Sequence, residues 1–190
     1  MTSPAGGTEI VVGVDDSPSS QPALKWAASE AVLRKAPLVI VYAETLPIAA
    51  WPIAPVPSGL MEWQQQIGRE ILDDASRIAK DLTHDAVPVS REFAVATPAA
   101  ALIERSASAA MVVVGSRGRG AFARTVLGSV STNLVHHAHC PVAVIREQEP
   151  PPPPNAPVLL GFDGSPACES AVEIAFESAS RRGVELVAVH

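Results

Sequence analysis

The feature that most constrains the fold is an internal repeat with a fixed spacing of 148 residues. Residues 158–190 align without gaps onto residues 10–42. The recurring positions hold a glycine, an aspartate, a serine–proline pair and alanines four residues apart. The identical pairs are Gly13 and Gly161, Asp15 and Asp163, Ser17 and Ser165, Pro18 and Pro166, Ala23 and Ala171, Ala27 and Ala175, Ala31 and Ala179, Arg34 and Arg182, Leu38 and Leu186, Val39 and Val187, and Val41 and Val189. Each copy therefore begins the same kind of unit, and the second copy holds only one strand–helix–strand.

Apolar runs alternate with helical patterns along the first copy and beyond it. The run at 10–14 is apolar at every position, which predicts a strand buried on both faces. Ser17 followed by Pro18 predicts a helix start, with serine as the N-cap and proline at the first helical position. The further predicted elements are strands at 38–43, 87–95, 111–115 and 141–145, helices at 60–83, 97–106 and 126–137, and a proline-rich loop at 47–57. This alternation predicts an α/β fold, an open parallel sheet with helices on both faces.

Proline divides the chain into predicted domains. Five consecutive prolines occupy 150–154 and favour polyproline II, which is typical of a semi-rigid spacer. We therefore predict a complete domain at 8–147, a linker at 148–157 and an incomplete second domain at 158–190.

Charge and cysteine content narrow the functional classes. The formal net charge of -6 argues against a protein that coats nucleic acid or an anionic membrane, because both require a positive field. No signal-peptide pattern and no apolar run of about 18 residues is present, so we expect no membrane span. The two cysteines, Cys140 and Cys168, are too few for a disulfide framework. These features predict a cytoplasmic protein.

A glycine-rich stretch after the fourth predicted strand is the main candidate for binding chemistry. Gly115 and Gly118 form a G-x-x-G, and after nine intervening residues Gly128 and Ser129 follow at the start of a predicted helix. Glycines in this context allow backbone amides to approach a phosphate at a helix N-terminus. The alternative is a flexible glycine-rich loop without a ligand.

The distribution of charge favours an anion site at this loop. No carboxylate lies between Glu104 and Glu147, although the chain as a whole is acidic. Five arginines fall within that interval: Arg105, Arg117, Arg119, Arg124 and Arg146. Arginines beside bare backbone amides indicate local recognition of an anion.

Asp15 follows the first predicted strand, where open α/β sheets place ligands. Its carboxylate would bind a ribose hydroxyl or a phosphate-bound magnesium ion, and the alternative is a turn or N-cap aspartate. His136, His137, His139 and Cys140 lie near a predicted helix C-terminus, and their spacing places them on different faces. We expect no protein-bound metal other than magnesium carried by a nucleotide.

These residues together resemble the universal stress protein family, in particular its ATP-binding subgroup, whose hallmark is G-x-x-G, nine residues, then G-S/T. The resemblance covers residues 8–146, and the repeat resembles the tandem form of the family with a shortened second domain. It implies a five-stranded parallel sheet in the order 3-2-1-4-5, Rossmann-like, with ATP at the carboxyl edge. Ala96 and Ala110 depart from the family pattern, where glycine and aspartate are usual.

The resemblance also implies a set of nucleotide-binding positions. Gly13 and Asp15 would lie by adenine and ribose, and Ala43 would offer its backbone to adenine. Gly115 and Gly118 would face ribose and phosphates. The full implied set is Gly13, Asp15, Ala43, Gly115, Ser116, Arg117, Gly118, Arg119, Gly120, Ala121, Arg124, Gly128, Ser129 and Val130. Gly161 and Asp163 would form only an incomplete second site, because no second glycine loop accompanies them.

The expected function is an ATP-binding regulator of stress or growth, at most a weak ATPase. No lysine follows Lys80, no Walker lysine is present, and no nucleophile lies in a recognisable catalytic motif. The alternatives are a slow ATPase or nucleotidyl-transfer enzyme on the same scaffold, and a nucleotide-free protein-interaction module. The resemblance also implies pairing through the last strand of the sheet, as a homodimer or as a pseudo-dimer within the chain.

Overall fold

The computed structural model describes residues 7–45, 59–118, 127–146, 152–153 and 155–190. The predicted loop at 47–57 and half of the predicted linker, residues 148–151 and 154, lie outside these residues. The chain divides into two compact units, Met1–Arg146 and Glu147–His190, called unit 1 and unit 2 below.

Unit 1 is a five-stranded parallel sheet in the order β3-β2-β1-β4-β5. The predicted fold class and strand order are therefore confirmed. Its elements are β1 (Glu9–Gly13), α1 (Ser20–Arg34), β2 (Leu38–Ala43), α2 (Leu60–Thr83), β3 (Val89–Ala94), α3 (Pro98–Ser106), β4 (Ala109–Gly115), α4 (Ser129–His137) and β5 (Val142–Ile145).

The central strands are buried because they pair on both sides and carry apolar side chains on both faces. In β1, Ile10 pairs in parallel with Leu38 of β2 and with Met111 of β4. All six residues of β2 are buried. An unbroken apolar run is the pattern that a doubly covered parallel strand requires.

Helices cover both faces of the sheet. On one face α1 and α2 pack through small and aliphatic side chains, including Ala27 and Leu72. On the other face α3 and α4 contribute Leu102 and Leu134. The prediction of helices on both faces is confirmed.

The predicted start of the first helix is wrong. We expected Ser17 to cap a helix beginning at Pro18, but α1 begins at Ser20 after the N-cap Ser19, whose side chain makes no capping bond. Ser17 instead turns back, and its hydroxyl and amide both donate hydrogen bonds to Asp15. Because its hydroxyl bonds to Asp15, Ser17 does not cap α1.

Other element ends differ by one to three residues. The third strand occupies Val89–Ala94 instead of 87–95, the fourth begins at Ala109 and the fifth at Val142. The last helix of unit 1 begins at Ser129 instead of 126. By contrast, α3 begins at Pro98, one residue after the predicted start at 97, because Thr97 is its N-cap and the Thr97 hydroxyl accepts a hydrogen bond from Ala100 N–H at 3.4 Å.

Unit 2 is a single strand–helix–strand. It contains β6 (Val158–Gly161), one 3₁₀ turn (Pro166–Cys168), α5 (Glu169–Arg182) and β7 (Leu186–Val189). The two strands pair in parallel, with Val158 opposite Leu186. Large apolar side chains of this unit are exposed: Leu159, Phe162, Phe176, Val187 and Val189.

None of the helices in the described part of the chain has the length and apolar character needed to cross a membrane.

Candidate functional site

A cavity of about 350 Å³ opens at the carboxyl ends of β1 and β4. Both strands end in a glycine here, Gly13 and Gly115, and the strand order reverses between them, since β2 lies beside β1 and β5 lies beside β4. The lining residues are Gly13, Val14, Asp15, Ser17, Ser20, Val41, Ala43, Pro98, Leu102, Val114, Gly115, Arg117, Gly118, Leu127, Gly128, Ser129, Val130 and Ser131.

The cavity brings together most of the residues predicted from the sequence. Those that line it are Gly13, Asp15, Ala43, Gly115, Arg117, Gly118, Gly128, Ser129 and Val130. They come from the ends of three strands and from both ends of the glycine-rich loop. Arg119, Gly120, Ala121 and Arg124 lie outside the described residues.

Ser116 is the predicted site residue that the structure places in a different role. Its side chain is buried and it is not among the residues that line the cavity. Its amide donates a hydrogen bond to the Ile145 carbonyl at 2.8 Å, and its carbonyl accepts one from the Gly128 amide at 2.7 Å. Ser116 therefore ties the loop to β5 and to the start of α4.

Asp15 has the turn role that we considered as an alternative, and it also lines the cavity. Its Oδ1 atom accepts hydrogen bonds from the Ser17 amide at 3.0 Å and from the Ser17 hydroxyl at 2.5 Å. Its backbone amide donates to the Ser20 hydroxyl at 3.1 Å. Its Oδ2 atom lies 3.0 Å from the point that a Cβ on Gly118 would occupy. The turn thus fixes the carboxylate beside the glycine loop.

Two of the strand-end glycines are required by close packing. A Cβ on Gly115 would lie 2.7 Å from the Ser19 carbonyl oxygen, so only glycine lets β4 end against the start of α1. A Cβ on Gly13 would lie 2.7 Å from Leu102 Cδ1 and 3.3 Å from Val114 Cγ1. Gly13 therefore leaves space that a side chain would fill at the cavity wall.

The N-terminus of α4 forms one end of the cavity. Its N-cap is Gly128, which has no side chain to cap the helix, and no acidic residue lies in the first turn. The first amides of a helix lack partners within the helix, and the helix dipole adds partial positive charge there. Ser129, the first helical residue, is exposed and offers a hydroxyl at the same end. This end of the cavity is suited to an anion.

The apolar lining was not predicted from the sequence. Val14, Val41, Leu102 and Val114 form it, with Leu102 reaching over the strand ends from α3. Pro98 and Leu102 stand four residues apart on α3 and therefore share a face, a spacing that could have indicated the wall. Ser17, Ser20, Leu127 and Ser131 complete the residues that sequence reasoning missed.

The histidine-rich end of α4 shows no metal-site geometry. Within the described ranges, no group of three or more His, Cys, Asp or Glu side chains could hold a metal ion. Cys140 is half-buried, and burial raises the pKa of its thiol, while a hydrogen bond with the Val112 backbone acts in the opposite direction. A raised pKa lowers the fraction of Cys140 that is present as the reactive thiolate.

The second copy of the repeat reproduces the turn, but the strand end around Gly161 is open. Asp163 Oδ1 accepts from the Ser165 amide at 2.9 Å, as Asp15 does from Ser17. The Cys168 thiol also lies 3.0 Å from this oxygen, and these hydrogen bonds lower the pKa of Asp163 to about 2. A Cβ on Gly161 would meet no atom within 4 Å. Gly161 and Asp163 are both exposed.

Comparison with known proteins identifies the family. The model of the Universal stress protein family matches residues 8–146, which is most of the chain. A universal stress protein of Mycobacterium tuberculosis (strain ATCC 25618 / H37Rv) is 44% identical over 194 residues, covering 100% of this chain and 65% of that protein. The chain belongs to the universal stress protein family. It spans about two thirds of the length of this curated relative.

Solved structures of universal stress proteins share the fold. One from Archaeoglobus fulgidus DSM 4304 has a TM-score of 0.74 at 19% identity and covers 96% of this chain and 65% of its own. A universal stress protein in complex with cAMP has a TM-score of 0.54 at 28% identity and covers 74% of this chain and 98% of its own. Members of this family with the same fold therefore include a nucleotide-bound protein.

Proposed function

We propose that unit 1 binds ATP as its magnesium complex and acts as a nucleotide-dependent regulator of stress or growth. The observation that carries this proposal is the convergence of nine predicted residues on one cavity at the carboxyl edge of the sheet. Open parallel sheets bind their ligands at this edge, where the strand order reverses. The relative in complex with cAMP supports a nucleotide as the ligand class.

The cavity offers separate surroundings for the two ends of a nucleotide. Val41 and Ala43, at the end of β2, provide an apolar wall and backbone groups for adenine. Gly118, Gly128 and Arg117 lie at the other end, where amides and a guanidinium suit phosphate oxygens. A volume of about 350 Å³ lies within the range of small-molecule sites.

Magnesium fits the oxygen donors of this cavity. Asp15 and Ser129 both line it, and Mg²⁺ is usually bound by one or two protein oxygens together with nucleotide phosphates. The ion would neutralise phosphate charge that the Asp15 carboxylate would otherwise repel. Asp15 would alternatively accept a hydrogen bond from a ribose hydroxyl.

The proposal assigns regulation to the protein instead of rapid turnover. Among the described lining residues, only Asp15 and Arg117 carry charge, and none is a lysine, histidine or cysteine. Phosphoryl-transfer enzymes position the nucleophile with a dedicated base and clamp the phosphates with cations. We therefore propose at most slow hydrolysis.

Calorimetric titration of Mg-ATP into the 190-residue chain, compared with Gly128→Asp, tests binding. Gly128 has φ -76°, and a Cβ there would lie 3.4 Å or more from its neighbours, so the substitution suits the backbone. Aspartate is also a favourable N-cap residue, so the helix should remain folded. The new carboxylate would stand at the phosphate end and repel the ligand.

Val135→Asp is the matched control, because it adds the same charge to an exposed position of the same helix. We expect micromolar binding, about -8 kcal/mol, by the wild-type chain and by Val135→Asp, and at least about tenfold weaker binding by Gly128→Asp. Equal binding by all three proteins would show that the ligand does not use the α4 N-terminus. No binding by any of them would favour a nucleotide-free interaction module.

Measurement of phosphate release in the same samples tests whether the protein hydrolyses ATP. We expect turnover close to the rate without protein. A much higher rate that is abolished in Asp15→Asn would favour an ATPase or nucleotidyl-transfer enzyme.

The proposal extends to self-association through β5 and to a cytoplasmic location. β5 is the edge strand of the five-stranded sheet, and no strand in the described part of the chain pairs with its outer side. Exposed strand edges favour pairing with another chain. Light scattering that gives the mass of a single chain at all concentrations would contradict pairing between chains.

A further inference from the structure

The backbone of Ser116 holds the two ends of the loop between β4 and α4 together. Ser116 stands at its start, and the Ser116 carbonyl accepts the amide hydrogen of Gly128 at its end, at 2.7 Å. The Ser116 amide in turn donates to the Ile145 carbonyl of β5 at 2.8 Å. Ser116 and Gly128, the described ends of this loop, are therefore held together beside the cavity.

The hydroxyl of Ser131 lies at this closure. Its Oγ is 3.0 Å from the Gly128 carbonyl oxygen and 3.4 Å from the Ser116 carbonyl oxygen. A hydroxyl has one proton and donates to one acceptor at a time, so the shorter contact to Gly128 is favoured. Both possible acceptors belong to the two residues that close the loop. The bond to Gly128 lies within the first turn of α4, and the contact with Ser116 links that turn to the start of the loop.

Burial makes this hydrogen bond important for geometry. Ser131 is 2% exposed, so water does not replace the bond when it breaks, and unpaired buried polar groups are costly. Ser129, two residues earlier, lines the same cavity, and because Ser129 is exposed and Ser131 is buried, the Ser129 hydroxyl is the more open of the two to a ligand. Ser129 is thus suited to direct contact with a ligand, and Ser131 to supporting the loop.

We propose that Ser131 is a positioning residue for the phosphate end of the nucleotide. It acts through Gly128, holding the α4 amides and the end of the glycine loop in the arrangement that phosphate needs. This inference rests on the proposed function, because it concerns the same cavity. Its distinguishing consequence is that the Ser131 hydroxyl affects binding of ATP but not binding of adenosine, which carries no phosphate.

Ser106 provides a matched control for the removal of a buried hydroxyl. Its Oγ donates to the carbonyl of the residue three positions earlier, Ile103, at 2.6 Å, and accepts from the His139 amide at 2.9 Å. Ser106 is 1% exposed and does not line the cavity. Ser106→Ala therefore measures how the loss of a buried hydroxyl outside the cavity changes ligand affinity.

The experiment titrates Mg-ATP and adenosine separately into the wild-type chain, Ser131→Ala, Ser131→Thr and Ser106→Ala. In Ser131→Ala we expect ATP affinity to fall about five- to tenfold, in line with the loss of one buried hydrogen bond, and adenosine affinity to stay within about twofold. In Ser131→Thr, which keeps the hydroxyl, and in Ser106→Ala we expect the ratio of ATP to adenosine affinity to remain that of the wild type.

Two results would overturn the inference while leaving the proposed function intact. One is wild-type ATP affinity in Ser131→Ala, and the other is an equal fall in ATP and adenosine affinity. A wild-type chain that binds neither ligand would overturn the proposed function and this inference with it. If Ser131→Ala does not fold, Ser131→Cys takes its place, because a thiol is a weaker donor of similar size and should lower the same ratio by about threefold.

Discussion

The two copies of the repeat follow the same path but differ in how far they are buried. In the first copy all six residues of β2 are buried, whereas all four residues of β7 are half-buried or exposed. In the first copy, β2 pairs with β3 and β1 pairs with β4, and α2 and α3 cover these strands. In the second copy, β6 and β7 form a two-stranded sheet. The repeat sequence therefore determines the local path, and the neighbouring elements supply burial.

The turns after β1 and β6 share one hydrogen bond and differ in another. In both, the aspartate carboxylate accepts the amide hydrogen of the serine two residues later. The two turns differ three residues after this serine, where the first copy has Ser20 and the second has Cys168. The Ser20 hydroxyl accepts from the Asp15 amide, whereas the Cys168 thiol donates to the Asp163 carboxylate. A shared turn is thus not sufficient for a shared site.

The largest predicted difference is in the effect of removing a core side chain. Val39 is 4% exposed and its counterpart Val187 is 40% exposed. We expect Val39→Ala to lower the free energy of unfolding of unit 1 by about 2 kcal/mol, through lost burial and a cavity. We expect Val187→Ala to change that of unit 2 by less than about 0.5 kcal/mol.

Urea unfolding measures the Val39 effect selectively. All three tryptophans, Trp26, Trp51 and Trp63, precede unit 2, so their fluorescence reports on unit 1. Amide hydrogen exchange in β6 and β7 follows unit 2. Equal losses for the two substitutions would contradict the view that neighbouring elements cause the difference.

A smaller difference is expected at the strand-end glycines. A Cβ on Gly13 would crowd Leu102, which can move only in part because it is itself buried, so Gly13→Ala should destabilise unit 1 by about 1 kcal/mol. Gly161→Ala meets no atom and should leave the stability of unit 2 unchanged or slightly raised. The same two assays compare the pair. A destabilising Gly161→Ala would show that the second strand end is also closely packed.

The smallest effect is a pH-dependent change confined to the second turn. The pKa of Asp163 lies at about 2, below its ordinary value of 3.8, because the Cys168 thiol and the Ser165 amide and hydroxyl bond to the charged carboxylate. A lowered folded-state pKa means that this turn is favoured above about pH 4 and loses that advantage as pH falls towards 2.

Carbon-13 NMR of the Asp163 carboxyl group measures this titration directly. We expect Cys168→Ala to raise the midpoint towards 3.8 and Cys168→Ser, which keeps a donor, to raise it less. A wild-type midpoint near 3.8 would show that the thiol does not bond to the carboxylate in solution.

Much of the fold was predictable from the sequence because its signals are local. β2 and α2 begin and end where predicted, and α3 begins one residue later than predicted. An unbroken apolar run, a long amphipathic pattern and a Thr-Pro start mark these elements. The start of α1 was predicted wrongly, because whether Ser17 caps a helix depends on competition with Asp15 for its hydroxyl.

The candidate site was predictable where it depends on the loop motif and the strand ends. Gly118, Gly128 and Asp15 come together because parallel strands deliver their carboxyl ends to one edge. Leu102 and Ser131 could not be assigned in this way, since their place at the cavity depends on how α3 and α4 pack on the sheet. Tertiary packing of this kind leaves only a weak local signal.

The most direct test of the central claim is a titration of Mg-ATP into the ¹⁵N-labelled chain, followed by amide chemical shifts. We expect saturable shifts at Gly13, Asp15, Gly118 and the Gly128–Val130 amides, with Gly161, Asp163 and Ser165 unchanged. The first group lines the cavity, and the second carries the same turn without it. Saturable shifts at the second turn, or none at the first, would contradict the claim that the glycine loop, and not the repeat, makes the binding site.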